Sequence, residues 1–184
     1  AAFVVLLIGV VCGGLQYSDF VSRTVYKESV SHLTEFFHQS NNLLSELADK
    51  NLTYLHMWSE YLTNTSDESE IREYIDKAQE EAGFLSFYFL SADGNYKMAT
   101  GETGYLGLQE NLEDEIRQGK DLITNVALPG KSQMLVFVSP RAYGTYQGFE
   151  YDAIAIAYEN ADIVKVLDIS AFQGNAKSYV VHSD

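Results

Sequence analysis

From Tyr17 to about Leu62 the chain contains neither proline nor glycine, and its apolar residues recur at helical spacing. A breaker-free stretch of that length favours one long helix over any other element. Val30, Phe37, Leu44, Asn51 and Trp58 stand seven apart in one row, and Tyr26, Leu33, Ser40, Leu47, Tyr54 and Tyr61 in a second. Together they form an a/d seam, with Asn51 and Ser40 as polar interruptions. Such a seam packs on its own domain or on the same helix of a second subunit. The sequence leaves both open, and a homodimer is the sharper expectation.

Immediately upstream, "AAFVVLLIGVVCGGL" runs 15 residues without a charge. A full membrane span takes about 20 apolar residues. Residues 1–16 therefore read as the end of a transmembrane helix, with a signal-peptide core as the alternative. Either reading places the chain from about residue 17 outside the cytoplasm. Residues 17–65 are then a long membrane-exit helix.

"NTSDESE" interrupts the pattern, and Asp67 with Glu70 three residues on makes a capping box for a second helix over 68–82. Ile71, Tyr74, Ile75 and Ala78 mark its inner face, and Gly83 its end. The periodicity then changes. "FYFLSADGNYKMATG", residues 87–101, reads as a strand, an Asp-Gly turn and a return strand. "GETGYLGL" is a glycine-rich loop and "NLEDEIRQG" a short helix capped by Asn111 and stopped by Gly119. "DLITNVAL", "SQMLVFVS" and "GFEYDAIAIAYE" are three further strands, and "ADIVKVLDI" a last short helix. Five strands joined mostly by short turns predict an α+β domain with a five-stranded antiparallel sheet flanked by helices.

The charge balance narrows the function. With 12 basic against 26 acidic residues the formal charge is −14, which disfavours nucleic acid and anionic lipid surfaces as partners. A single cysteine, Cys12, permits no internal disulfide and no cysteine-based zinc site. His32, His38 and His56 lie on the long helix without a metal-binding spacing, and no HExxH occurs. "GETGYLG" lacks the Lys-Ser/Thr of a P-loop. Glu113, Asp114 and Glu115 diverge around a helix as a solvated first turn does. No catalytic set, metal site or cofactor site emerges, so a non-enzymatic chain is expected. Asn-X-Ser/Thr triplets occur at Asn51 and Asn64.

The order of a membrane exit, a long helix, "FYFLSADGNYKMATG" and then "VFVSPRAYGTYQGFEYDAIAIAYENADIVKVLDI" resembles the extracytoplasmic Cache sensor domains of bacterial receptors. Pro140 and "DAIAIAYENADIVKVL" match their later landmarks. The resemblance implies a PAS-like sheet over residues 66–170 that binds a small molecule and signals through the membrane helix. The implied parent is a sensor histidine kinase, with a diguanylate cyclase or chemoreceptor as alternatives; a membrane-anchored enzyme or a structural surface domain is the rival of another class. "SYVVHSD", residues 178–184, copies the first strand "FYFLSAD". Residues 171–184 therefore read as the start of a second Cache module or as a final strand of the first.

Candidate ligand residues follow from the chemistry of polar cavities, in which a few convergent polar groups stand among aromatics. Arg141 closes an otherwise apolar strand and suits a carboxylate or an amino acid. Tyr88, Tyr105, Tyr143 and Tyr146 lie on segments that border the same space in this reading. The Tyr, Arg, Trp and Asp signature of amino-acid-binding tandem Cache domains is not evident in the sequence.

Overall fold

The structure is a computed structural model that describes residues 2–106, 112–127 and 133–166. The chain divides into two compact units, Ala1–Asn42 and Leu43–Asp184. The first helix, α1, runs unbroken over Ala2–Asn64 and belongs to both. The apolar run and the breaker-free stretch, separated at residue 16 in the sequence reading, are thus one element. Among the described residues no helix is long and apolar enough to cross a membrane.

The heptad seam changes character along α1. In the first unit Phe20, Val25, Tyr26, Val30, Leu33 and Phe37 are exposed. In the second, Leu55, Trp58 and Leu62 are buried, and Leu44, Leu47, Tyr54 and Tyr61 pack against the same core. From Leu43 onward the seam is packing within the domain.

Helix α2 covers Glu68–Ala82, as the capping pattern predicts. The Asp67 carboxylate accepts from the Ser69 N–H at 2.8 Å and the Glu70 N–H at 3.2 Å, satisfying two amides that a helix start leaves free. Gly83 closes the helix at φ 72°, where a side chain would be strained, and its N–H donates to the Gln79 carbonyl.

The sheet is built from β1 (Ser86–Leu90), β2 (Asn95–Met98), β3 (Thr103–Tyr105), β4 (Leu122–Ala127), β5 (Gln133–Ser139) and β8 (Ala153–Glu159). Its order is β3-β2-β1-β8-β5-β4, antiparallel throughout. The strands β6 (Gly144–Tyr146) and β7 (Phe149–Tyr151) form a separate hairpin. Helices α3 (Leu112–Arg117) and α4 (Asn160–Val166) complete the described elements. The α+β class and antiparallel sheet match expectation, with six strands in place of five. The sixth, β3, lies inside the glycine-rich loop. The predicted strand "GFEYDAIAIAYE" is two elements, because Asp152 leaves the ladder: its carboxylate accepts the Ala92 N–H at 2.8 Å, and its own N–H donates to the Leu90 carbonyl at 2.9 Å. The Asn111 cap and the repeated strand at 178–184 lie outside the described residues.

Both faces of the sheet are covered, which is why β1 and β8 read as continuous apolar runs. Phe87, Phe89, Leu135, Phe137, Ile154 and Ile156 meet α1 and α2 on one face. Tyr88, Leu90, Met134, Val136, Val138, Ala153, Ala155 and Ala157 line the other with Leu106 and Ile116.

A buried polar link ties three elements together. The Tyr158 hydroxyl lies 2.7 Å from Asn51 Oδ1 and 3.3 Å from the Ala82 carbonyl, while Asn51 Nδ2 donates to the Leu47 carbonyl at 2.9 Å. The polar interruption of the seam is therefore the point where β8 grips α1. Asn51 is also buried, which closes its amide to glycosylation. Tyr158→Phe strands Asn51 Oδ1 without a donor and is expected to destabilise the fold by about 1–3 kcal/mol in urea titrations. Burial pushes the Tyr158 hydroxyl up to about 12, against about 10 in an unfolded chain. A raised folded value favours the neutral form, so this stabilisation is complete below pH ~10 and lost as the pH rises toward ~12. Tyr158→Phe should flatten that part of the stability–pH curve.

Candidate ligand site

The sheet face opposite α1 carries alanines at 153, 155 and 157, while Ile154 and Ile156 between them point to the helices. The strand that forms the middle of the sheet thus keeps its bulk on the helix side and a low floor on the other. Tyr88 flanks this floor, paired across the ladder with Ala155. Its ring meets Tyr96 edge to face, with centroids 4.9 Å apart. Burial raises both phenols above their ordinary range.

At the edge of the sheet the β1–β2 turn, the end of β3 and α3 border an open groove of about 1010 Å³. Tyr96, Tyr105, Asp93, Asp152, Glu150 and Arg117 supply its chemistry. The Asp-Gly turn is held by side chains. Ser91 donates to the Asp93 carboxylate, which also accepts the Asn95 N–H at 3.3 Å and the Asn95 side-chain amide at 2.7 Å. These donors, Ser91 first, hold Asp93 below the usual carboxylate range. Arg117 is the groove's guanidinium and pairs with Glu113 one turn earlier at 2.5 Å. Acidic, cationic and aromatic groups therefore share one opening, an arrangement suited to a small ligand bearing both charges.

The five residues singled out from the sequence do not converge. Tyr88 is buried on the alanine face, and Tyr105, 56% exposed on β3, lines the edge groove. Tyr146 is buried on the helix side, stacked on Phe89 at 4.2 Å, with its hydroxyl donating to the Ala99 carbonyl at 3.2 Å. Tyr143 is 78% exposed. Arg141 also lies on the helix side, beside Thr53, His56 and Ser59 of α1. There Asp121 gathers His56 Nε2 at 2.8 Å, the Ser139 hydroxyl at 3.0 Å and Arg141 at 3.5 Å. Both arginines thus have a carboxylate partner within the domain, and what separates them is the opening each borders. Tyr96, Arg117 and Asp152 were missed. For Tyr96 a signal existed: a hairpin closing at Asp93-Gly94 pairs it with Leu90, two residues along from Tyr88 on the same face.

No protein-family model matches the chain, and no curated protein matches it in sequence. Solved structures do. The ligand-binding domain of the Pseudomonas aeruginosa amino-acid chemoreceptor PctC, solved with GABA, aligns at TM-score 0.53 and 14% identity over 74% of this chain. The sensory domain of the Campylobacter jejuni chemoreceptor Tlp3 aligns at TM-score 0.52 and 10% identity over 78% with isoleucine bound, and at 0.54 and 8% over 78% with L-norvaline. The fold is the PAS-like Cache sensor fold. The chain spans 66%, 64% and 63% of the length of those three domains. The faces of this sheet are unequal, one given to α1 and α2 and the other floored by alanine.

Proposed function

We propose that this chain is the extracytoplasmic sensing region of a membrane-anchored signalling receptor, held at the membrane through its N-terminal helix. The observation that carries the reading is the division of one sheet between two tasks. Its edge groove offers ligand chemistry, and the face toward α1 grips that helix through Trp58, Leu55 and the Tyr158–Asn51 link. Asp152, which leads into β8, lines that groove, so a ligand that shifts Asp152 acts on α1 through β8. The parent receptor is a sensor histidine kinase in this reading. A chemoreceptor is the second reading, favoured by the neighbours PctC and Tlp3, both chemoreceptors. The chain itself acts as a binding region with no chemistry of its own.

The proposed ligand is a small amino-acid-like molecule, its ammonium on the Asp93 side of the edge groove and its carboxylate on Arg117, with Tyr96 and Tyr105 around it. Of the candidates read from the sequence, Tyr105 stays in this proposal, Tyr88 backs Tyr96 from the buried face, and the charge partner moves from Arg141 to Arg117. A thermal-shift screen of amino acids and organic acids tests it. At a hundredfold excess over its dissociation constant, a ligand specific to the folded state adds ~2.7 kcal/mol of stability. Arg117→Ala should remove the shift and Arg141→Ala should leave it. The opposite pattern would return the site to the helix side.

The exposed stripe from Phe20 to Phe37 supports a homodimer through the first part of α1. Sedimentation should show a reversible monomer–dimer equilibrium that Phe37→Glu weakens. A Phe37→Glu protein that dimerises as well as the parent would count against this interface. Leu47 is unsuited to the test because it packs against the domain core.

A further inference from the structure

A second cleft lies on the other side of the domain, between α1 and α2, and its chemistry differs from that of the sheet groove. Tyr54 and Trp58 of α1 face a cleft of about 210 Å³ whose far wall is Tyr74, Lys77 and Glu81 of α2. Ala78 and Ala82 complete that wall. Small residues there leave the space open where larger ones would fill it.

The aromatic walls are fixed before any ligand arrives. Tyr54 stacks on Trp58 with centroids 5.7 Å apart and an interplanar angle of 16°. Trp58 is anchored by edge contacts to Phe84 and Phe87. Tyr61 backs Tyr74 at 4.0 Å. Aromatic faces attract cations, most strongly where water is excluded. The protein shows one instance here, since the Lys50 ammonium lies 5.7 Å from the centre of the Tyr54 ring.

Two opposite charges border the same cleft. Lys77 and Glu81 stand one helical turn apart, and they do not pair with each other or with any other described residue. Positions four apart on a helix hold their Cβ atoms about 5–6 Å from each other. That spacing suits the two ends of a short zwitterion. The volume is below the roughly 300–1,000 Å³ of ordinary ligand pockets, which limits the occupant to a few heavy atoms.

We infer that this cleft binds a small betaine-type zwitterion, its alkylated ammonium against the rings and Glu81 and its carboxylate on Lys77. An alkylated ammonium suits the site better than a bare one. It has few hydrogen bonds to lose on leaving water, and its methyl groups bury against Tyr54, Trp58 and Tyr74. The assignment is separate from the amino-acid site on the sheet and does not depend on it.

Trp58 is the only tryptophan in the chain, so its fluorescence reports this wall directly. Titrating the full chain with glycine betaine should give a saturable change with a dissociation constant of about 1 mM. The isostere 3,3-dimethylbutanoate, which has carbon in place of the charged nitrogen, should bind at least about tenfold more weakly. Glu81→Gln should weaken betaine about tenfold. Lys77→Gln should weaken betaine and leave choline, which has no carboxylate, unchanged. Both side chains are exposed, so the unliganded melting temperature serves as a control on folding. Arg117→Ala should leave the whole titration intact, which separates this site from the sheet groove. No saturable response to betaine overturns the inference. So does equal affinity for the carbon isostere, or indifference to both charge substitutions.

Discussion

Trp58→Ala is expected to destabilise the domain by about 3–5 kcal/mol, and Phe37→Ala by less than about 0.5 kcal/mol. The two residues occupy the same row of one seam, three heptads apart, and the sequence pattern does not tell them apart. Their surroundings do. Trp58 is 5% exposed and contacts Tyr54, Phe84 and Phe87, so truncation empties a volume that rigid rings on three sides cannot refill. Phe37 is 68% exposed and loses little beyond water contact. Urea denaturation followed by far-ultraviolet circular dichroism, at dilution sufficient to dissociate a dimer, measures both. A comparable loss at Phe37 would mean that the first part of the seam is buried by a tight second copy. A small loss at Trp58 would mean that the α1–α2–sheet core is loosely packed.

The contrast explains which parts of the fold were legible. Helix α2 was read to the residue, because Asp67 and Gly83 act through their own backbone neighbourhood and need no tertiary partner. The β1–β2 hairpin was read for the same reason, since the Asp-Gly turn is local chemistry. The strands β3 and β6 were not, because three residues are too few to show a period, and β7 was read only as the start of a longer strand. The seam was seen, but heptad spacing states only that one face is apolar and says nothing of what covers it. The scatter of the candidate site residues has the same origin. Arg141 was chosen for its charge at a strand end. Whether a strand end looks toward helices or ligand depends on which face the helices take, and that depends on long-range pairing. Ser139 and Arg141 share the parity of Phe137, which packs on the α1 side. Tyr143 and Tyr146 show the limit of composition. They are three residues apart, yet one is in solvent and the other under Phe89.

Gly104→Ala is expected to cost about 1–3 kcal/mol and to disorganise the edge groove at the same time. Gly104 pairs across the β2–β3 ladder with Tyr96. A methyl group at Gly104 would fall 2.6 Å from the Tyr96 hydroxyl oxygen and 2.7 Å from Cζ of its ring. The ring lies flat across the glycine, as aromatic residues do opposite glycine in strands. It has little freedom to yield, because Tyr96 is buried and its other contact is Tyr88. The added methyl group therefore pushes on Tyr96, Tyr96 pushes on Tyr88, and the disturbance reaches the alanine floor where Tyr88 faces Ala155. This also accounts for a glycine at the centre of a three-residue edge strand, where its conformational freedom is otherwise a liability. The double variant Gly104→Ala with Tyr96→Leu decides the mechanism. If the clash is with the ring, the second substitution relieves it, and the combined loss falls short of the sum of the two single losses by at least about 0.5 kcal/mol. Additive losses would mean that the backbone of β3 itself, rather than the tyrosine laid across it, requires glycine at this position.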